Sequence, residues 1–248
     1  MTIRPQDLGI AIRDRKGRDD PGTVLVSGGS SGLGAAIVRA VRLAGGRPLV
    51  LDRNKPDDNG NGKDFARVDV ADTRATERAV RELAESAGGL DAVVTAAGID
   101  RCGRLADVPG TDWDNVVAVD LLGTAAVVRA ALPYLMRSRG HVITVASTLG
   151  LRAVSDATAY CAAKFGVVGF TRALAAELAG EVGVTLLVPG GMRTNFFADR
   201  DEKYRPADES VLNAPENVAR AVLLALTQPP GCEVRELVVC PTSETSWP

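Results

Sequence analysis

A chain of 248 residues, 46% of them hydrophobic and 24% charged, can bury the core of one large α/β domain, which fits better than two small domains. Its formal net charge of −2 provides no broad attraction for nucleic acid or an anionic membrane, so a small, nearly neutral partner is expected. The cysteines Cys102, Cys161, Cys232 and Cys240 are far apart without zinc-ligand spacing, and His141 is the lone histidine. A metal site is therefore not expected; reduced thiols, no apolar signal core and no apolar run of bilayer length read as a cytoplasmic chain.

Residues 1–22, with many charges between 11 and 20, read as an N-terminal extension to a single domain over 23–248. TVLVS (23–27) is the first predicted strand, and a helix follows over 32–44. PLVLD (48–52) and FARVDV (65–70) are the next strands, separated by a polar loop, and a helix follows over 73–86. DAVVTAAG (91–98) precedes a helix over 111–137, and HVITVAS (141–147) precedes one over 158–179. VTLLVPG (184–190), a polar loop at 198–210, a helix over 215–227 and ELVVCP (236–241) complete the pattern. Runs apolar on both faces and separated by helices predict a doubly wound, Rossmann-like parallel sheet of about seven strands with helices on both faces.

SGGSSGLG (27–34) joins the first strand to the first helix. Its Gly28, Gly32 and Gly34 permit a tight turn and close helix packing, so that backbone N–H groups of Ser30, Ser31, Gly32 and Leu33 can meet a pyrophosphate. The spacing is not the commoner GxGxxG, and a glycine-rich turn alone is also compatible with a purely structural role. Asp52 ends the second strand, where a carboxylate can accept from both hydroxyls of an adenosine ribose and would repel a 2′-phosphate. Arg53 beside it could instead pair with that phosphate. Asp52 holds the more direct position and the glycine loop has no basic residue, so NAD is expected ahead of NADP. Asp69 is read as capping an adenine pocket, or as an ordinary turn or helix cap.

YCAAK (160–164) sets a phenol and an ammonium one helical turn apart. With SGGSSGLG, DV (69–70), AAG (96–98), Ser147 and PGGMRT (189–194), it resembles the short-chain dehydrogenase/reductase family from Thr23 to about Val239. The resemblance implies an NAD(P)-dependent oxidoreductase interconverting a secondary alcohol and a ketone. Tyr160 would be the general acid and base, Lys164 would favour the phenolate and hold the nicotinamide ribose, and Ser147 would hold the substrate oxygen. A phenol of pKa about 10 would need lowering by about three units to work near neutrality. Asp69, Val70, Ala97, Gly98, Pro189, Gly190, Met192 and Thr194 are carried over to the cofactor site by the same resemblance.

Asp120 stands where the family usually has asparagine; it accepts but cannot donate when ionised, so a proton relay to Lys164 would be rewired. Thr95 and Ala96 replace an Asn-containing turn. The substrate pocket is expected to be an apolar wall of Leu149, Leu151, Val154, Phe196 and Phe197 around Ser147 and Tyr160. Arg193 or Arg200 could recognise an acidic group, but read first as solvated charges. The family resemblance implies a homodimer or homotetramer through the helices at 111–137 and 158–179. Alternatives to an enzyme are a dinucleotide-binding regulator with little turnover and a structural interaction domain.

Overall fold

The structure is a computed structural model that describes residues 20–56 and 62–247. Of the predicted N-terminal extension, only Asp20 to Gly22 fall within the described residues.

Seven strands form one parallel sheet: β1 (Thr23–Ser27), β2 (Arg47–Asp52), β3 (Phe65–Arg67), β4 (Ala92–Thr95), β5 (His141–Val145), β6 (Gly183–Pro189) and β7 (Glu236–Val239), in the order β3-β2-β1-β4-β5-β6-β7. The order reverses direction between β1 and β4, so the connections leaving these neighbours run to opposite faces and open a crevice at their carboxyl ends. The helices are α1 (Gly32–Leu43), α2 (Thr73–Ala87), α3 (Gly110–Val117), α4 (Thr124–Ser138), α5 (Thr158–Glu177) and α6 (Pro215–Leu226).

Alternation along the strands divides the core. Val24 and Val26 of β1 pack with Ile37 and Val41 of α1 and with Val218 and Val222 of α6. Leu25, between them, points to the other face and joins Val80 and Leu83 of α2, Val127 and Leu135 of α4, and Leu174 of α5. All five residues of β1 are buried, as expected of a strand covered on both sides. His141, the lone histidine, is a buried residue of β5 whose Nε2 lies 2.7 Å from Thr185 Oγ1.

Two elements depart from the sequence reading. β3 ends at Arg67 instead of continuing to residue 70, because Asp69 turns the chain: its Oδ1 accepts from Ala71 N–H at 3.0 Å and its carbonyl from Asp72 N–H at 3.0 Å. The single predicted helix over 111–137 is interrupted by a π-helical turn, Ala118–Gly123, between α3 and α4. Together they make a 29-residue helix, Gly110–Ser138, long and apolar enough by length and composition to cross a membrane, which corrects the expectation that no run approaches that length. Over half of its most apolar window is buried inside the protein, as in the core helix of a soluble fold.

Candidate active site

After β5 the chain turns at Ser147, whose extended backbone caps the 3-10 turn Thr148–Gly150 and whose Oγ accepts from Leu149 N–H at 3.1 Å. α5 begins at Thr158, so Tyr160 and Lys164 fall on its buried face, 8% and 4% exposed. The Ser147 side chain lies close enough to the phenol to favour its ionised form. Lys164 Nζ donates to the carbonyl of Val145 at 3.1 Å and lies 5.5 Å from the centre of the Tyr160 ring. The three residues, taken from a strand end and a helix, thus meet at one point.

Asp120 joins them. The π-helical turn carries it inward until it is wholly buried, and Thr124 Oγ1 donates to its carbonyl at 2.8 Å. Its Oδ1 accepts from Ile99 N–H at 2.8 Å, while Oδ2 faces Lys164 Nζ at 3.2 Å as an ion pair without hydrogen-bond alignment. Burial pushes the Asp120 carboxyl above its ordinary range, against the pull of Lys164 and Ile99 N–H. Burial pulls the Lys164 ammonium down, but Asp120 and Tyr160 more than offset this and hold it above the usual lysine value.

For Tyr160, burial is the largest influence and raises the phenol; Lys164 lowers it and Asp120 raises it again. The net direction among the chain's own groups is upward, although Lys164 acts in the expected direction. The physical reason is burial, which disfavours the charged phenolate by more than Lys164 favours it, with Asp120 adding to the rise. Thr95, at the altered turn after β4, has its buried hydroxyl without a partner, the mark of a lost cross-link.

On the dinucleotide side, Gly28 has φ +70°, and a Cβ there would lie 2.6 Å from Ala97 N. A Cβ on Gly34 would overlap the Gly28 carbonyl, so the first helix can approach the strand only with glycine there. Leu33 is buried beneath the loop and Ser31 is an exposed N-cap without a side-chain hydrogen bond. Ser30 N–H donates to Asp52 Oδ2 at 3.0 Å, and Ser30 Oγ donates to Asn54 C=O at 2.6 Å. Asp52 Oδ1 accepts from Asn54 N–H at 2.9 Å, so each carboxylate oxygen holds one donor and keeps a lone pair.

Arg53 is exposed and its carbonyl accepts from Arg67 Nε at 2.9 Å. Val70 is buried against Gly123, and Asp69 serves its own turn. Across the crevice, a Cβ on Gly32 would stand 3.5 Å from Thr194 Cβ, and one on Gly98 would stand 3.5 Å from Lys164 Nζ. Pro189 ends β6, and the chain runs on through Gly190 and Met192, which packs on the core, to bring Thr194 beside Gly32.

On the other side of Tyr160, Phe196 meets it in a tilted contact at 5.7 Å and meets Phe197 edge-to-face at 5.6 Å. Leu149 packs in the same cluster, but Leu151 belongs to another and Val154 is exposed, so the expected apolar wall is only partly assembled. Arg200 is the larger correction. Rather than solvated, its side chain is 15% exposed, lies over the rings of Phe196 and Phe197 at 5.3 and 4.6 Å, and pairs with buried Asp100 at 2.6 Å. Sequence reasoning missed Asp100 altogether; its place just after the strand-end AAG turn was the available signal. Asp100 and Arg200 line a cavity of about 340 Å³ with Cys102, Gly103, Asp156 and Tyr204. Burial and the Asp100 charge push the Cys102 thiol up to about 12, so it stays protonated.

The family described as short chain dehydrogenase matches residues 22–205. An uncharacterised oxidoreductase of Staphylococcus aureus is 34% identical over 226 residues, covering 88% of this chain and 96% of that protein. Among solved structures, an alcohol dehydrogenase from the archaeon Thermococcus sibiricus, complexed with 5-hydroxy-NADP, superposes with a TM-score of 0.80 at 23% identity, covering 90% of this chain and 97% of that one. A short chain dehydrogenase from Burkholderia cenocepacia in complex with NADP has a TM-score of 0.77 at 25% identity, covering 90% and 98%.

Proposed function

Since this chain belongs to the short chain dehydrogenase family of oxidoreductases, we propose that it interconverts a secondary alcohol and a ketone with NAD, using Tyr160 as general acid and base. The observation that carries this reading is the meeting of Ser147, Tyr160 and Lys164 beside the crevice. The glycine-lined space from Gly28 and Gly32 to Thr194 and Gly98 fits a dinucleotide, because side chains at those glycines would occupy or strain it. When bound, that group supplies the hydride.

The chain's own residues handle the proton and the geometry. Ser147 holds the substrate oxygen next to the phenol, and Tyr160 Oη donates its proton to that oxygen in reduction or takes it back in oxidation. Lys164 stabilises the phenolate and Asp120 fixes Lys164 from behind. NAD is favoured over NADP by Asp52, whose free lone pairs suit ribose hydroxyls and whose charge opposes a phosphate. The two solved relatives above carry NADP-type ligands, so this preference rests on Asp52 of this chain.

A small ketone or alcohol is the partner, without nucleic acid or membrane, in the cytoplasm, where the free thiols Cys102, Cys161, Cys232 and Cys240 remain reduced. A homodimer or homotetramer is proposed through the exposed Leu122 and Phe165 (51% and 44% exposed) and the open face at Gly169. One observation favours a second reading, a dinucleotide-binding regulator: Asp120 blunts the Lys164 charge. Mixing the protein with NADH or NADPH and a ketone panel tests both. Consumption of NADH ahead of NADPH is expected; binding without consumption would replace the enzyme by the regulator.

A further inference from the structure

The loop after β6 has most of its backbone groups engaged. Gly190 N–H donates to Val239 C=O at 3.0 Å, Asn213 N–H to Gly191 C=O at 3.0 Å, Arg193 N–H to Asn213 C=O at 2.9 Å, and Thr194 N–H to Met192 C=O at 3.0 Å. Gly191 N–H goes elsewhere, to Glu244 Oε2 at 2.8 Å. Among the described residues, Met192 N–H is left as this loop's donor without a partner.

Glu244 also reaches the other half of the site. Its Oε1 accepts from Ser246 N–H at 3.0 Å and lies 2.6 Å from Ser246 Oγ, which is 2.7 Å from Thr148 Oγ1. A serine hydroxyl has one proton; the carboxylate takes it, and Thr148 then donates to Ser246. Thr148 adjoins Ser147, and Arg152 Nη1 holds the Thr245 carbonyl at 3.1 Å. The paired glycines are shaped for this contact, because a Cβ on Gly190 would fall on Glu244 Oε2 and sit 3.1 Å from Cys240 Sγ. Glu244 and Ser246 lie outside the family-matched residues 22–205.

We propose that Glu244 is a positioning residue. Its carboxylate ties the loop expected at the nicotinamide to the turn bearing Ser147, and by taking the Gly191 amide it reserves Met192 N–H for the dinucleotide. The inference rests on the oxidoreductase reading above. Its test measures NADH affinity by fluorescence, steady-state kinetics on a ketone that the wild type reduces, and melting temperature.

Glu244→Ala should weaken NADH about tenfold, the worth of one charge-assisted hydrogen bond. Glu244→Gln keeps a carbonyl acceptor and should recover affinity to within about threefold of wild type. Ser246→Ala cuts only the tie to Thr148; it should leave NADH binding within about twofold and lower kcat/KM for the ketone about fivefold. If Glu244→Ala does not fold, the other two variants carry the test. Wild-type affinity in Glu244→Ala, or equal losses in Glu244→Ala and Glu244→Gln that follow melting temperature, would overturn the positioning role alone. A wild type that binds neither NADH nor NADPH would sink the oxidoreductase reading and this inference with it.

Discussion

Aspartate at position 120 sets the electrostatics around Lys164 and Tyr160. The carboxylate is fully buried, 3.2 Å from Lys164 Nζ, and its charge raises the Tyr160 phenol. Asp120→Asn removes that charge, so under the proposed mechanism, in which alcohol oxidation uses the phenolate, the pH–rate limb should move to lower pH. A limb that stays put would remove Asp120 from the proton chemistry. The same groups shape alkaline stability. Tyr160 and Lys164 both hold protons more tightly folded than unfolded, so their contribution is complete below about pH 10 and is lost as pH climbs through their raised values. Tyr160→Phe should therefore lose stability less steeply than wild type above about pH 10, measured as urea midpoints across that range. Tyr160 and Lys164 were legible in the sequence because one helical turn puts them on one face. Arg200 was not, since a charge in a polar loop gives no sign of two phenylalanines and an aspartate gathering around it.

At the scale of elements, the glycine loop works by letting backbone approach backbone. Gly28 combines φ +70° with a neighbour 2.6 Å from any added Cβ. Gly28→Ala should cost about 1–3 kcal/mol of folding free energy and abolish dinucleotide binding, by chemical denaturation and fluorescence titration. A variant as stable as wild type would refute this account of the turn. Strands and helices were readable from apolar period, because the central strands β1, β4 and β5 are buried along their whole length and the helices pack an apolar face on the sheet. The π-helical turn at Ala118–Gly123 was not, because one extra residue in a helical turn leaves no compositional trace. Yet this turn is what delivers Asp120 to Lys164.

For the whole molecule, the parallel sheet and its reversal between β1 and β4 put every chain segment of the site at one edge. That much follows from alternating strand and helix signals. The tie through Glu244 does not: it joins Gly191 and Thr148 to residues far along the chain that no apolar period marks. Assembly belongs to this scale too. Phe165→Glu places a charge on the exposed apolar face of α5 and should shift the protein to monomers in sedimentation equilibrium with its melting curve little changed. An unchanged mass would refute the proposed interface at Phe165.

The contacts of Arg200 with Phe197 and Phe196, and of Phe196 with Tyr160, couple the pocket's outer rim to the proposed acid. Changing any one member disturbs the seating of the rest, so adaptation toward bulkier ketones would be epistatic. Substitutions that fail singly would succeed in combination, and a laboratory lineage selected one step at a time would stall where a paired library at these positions advances.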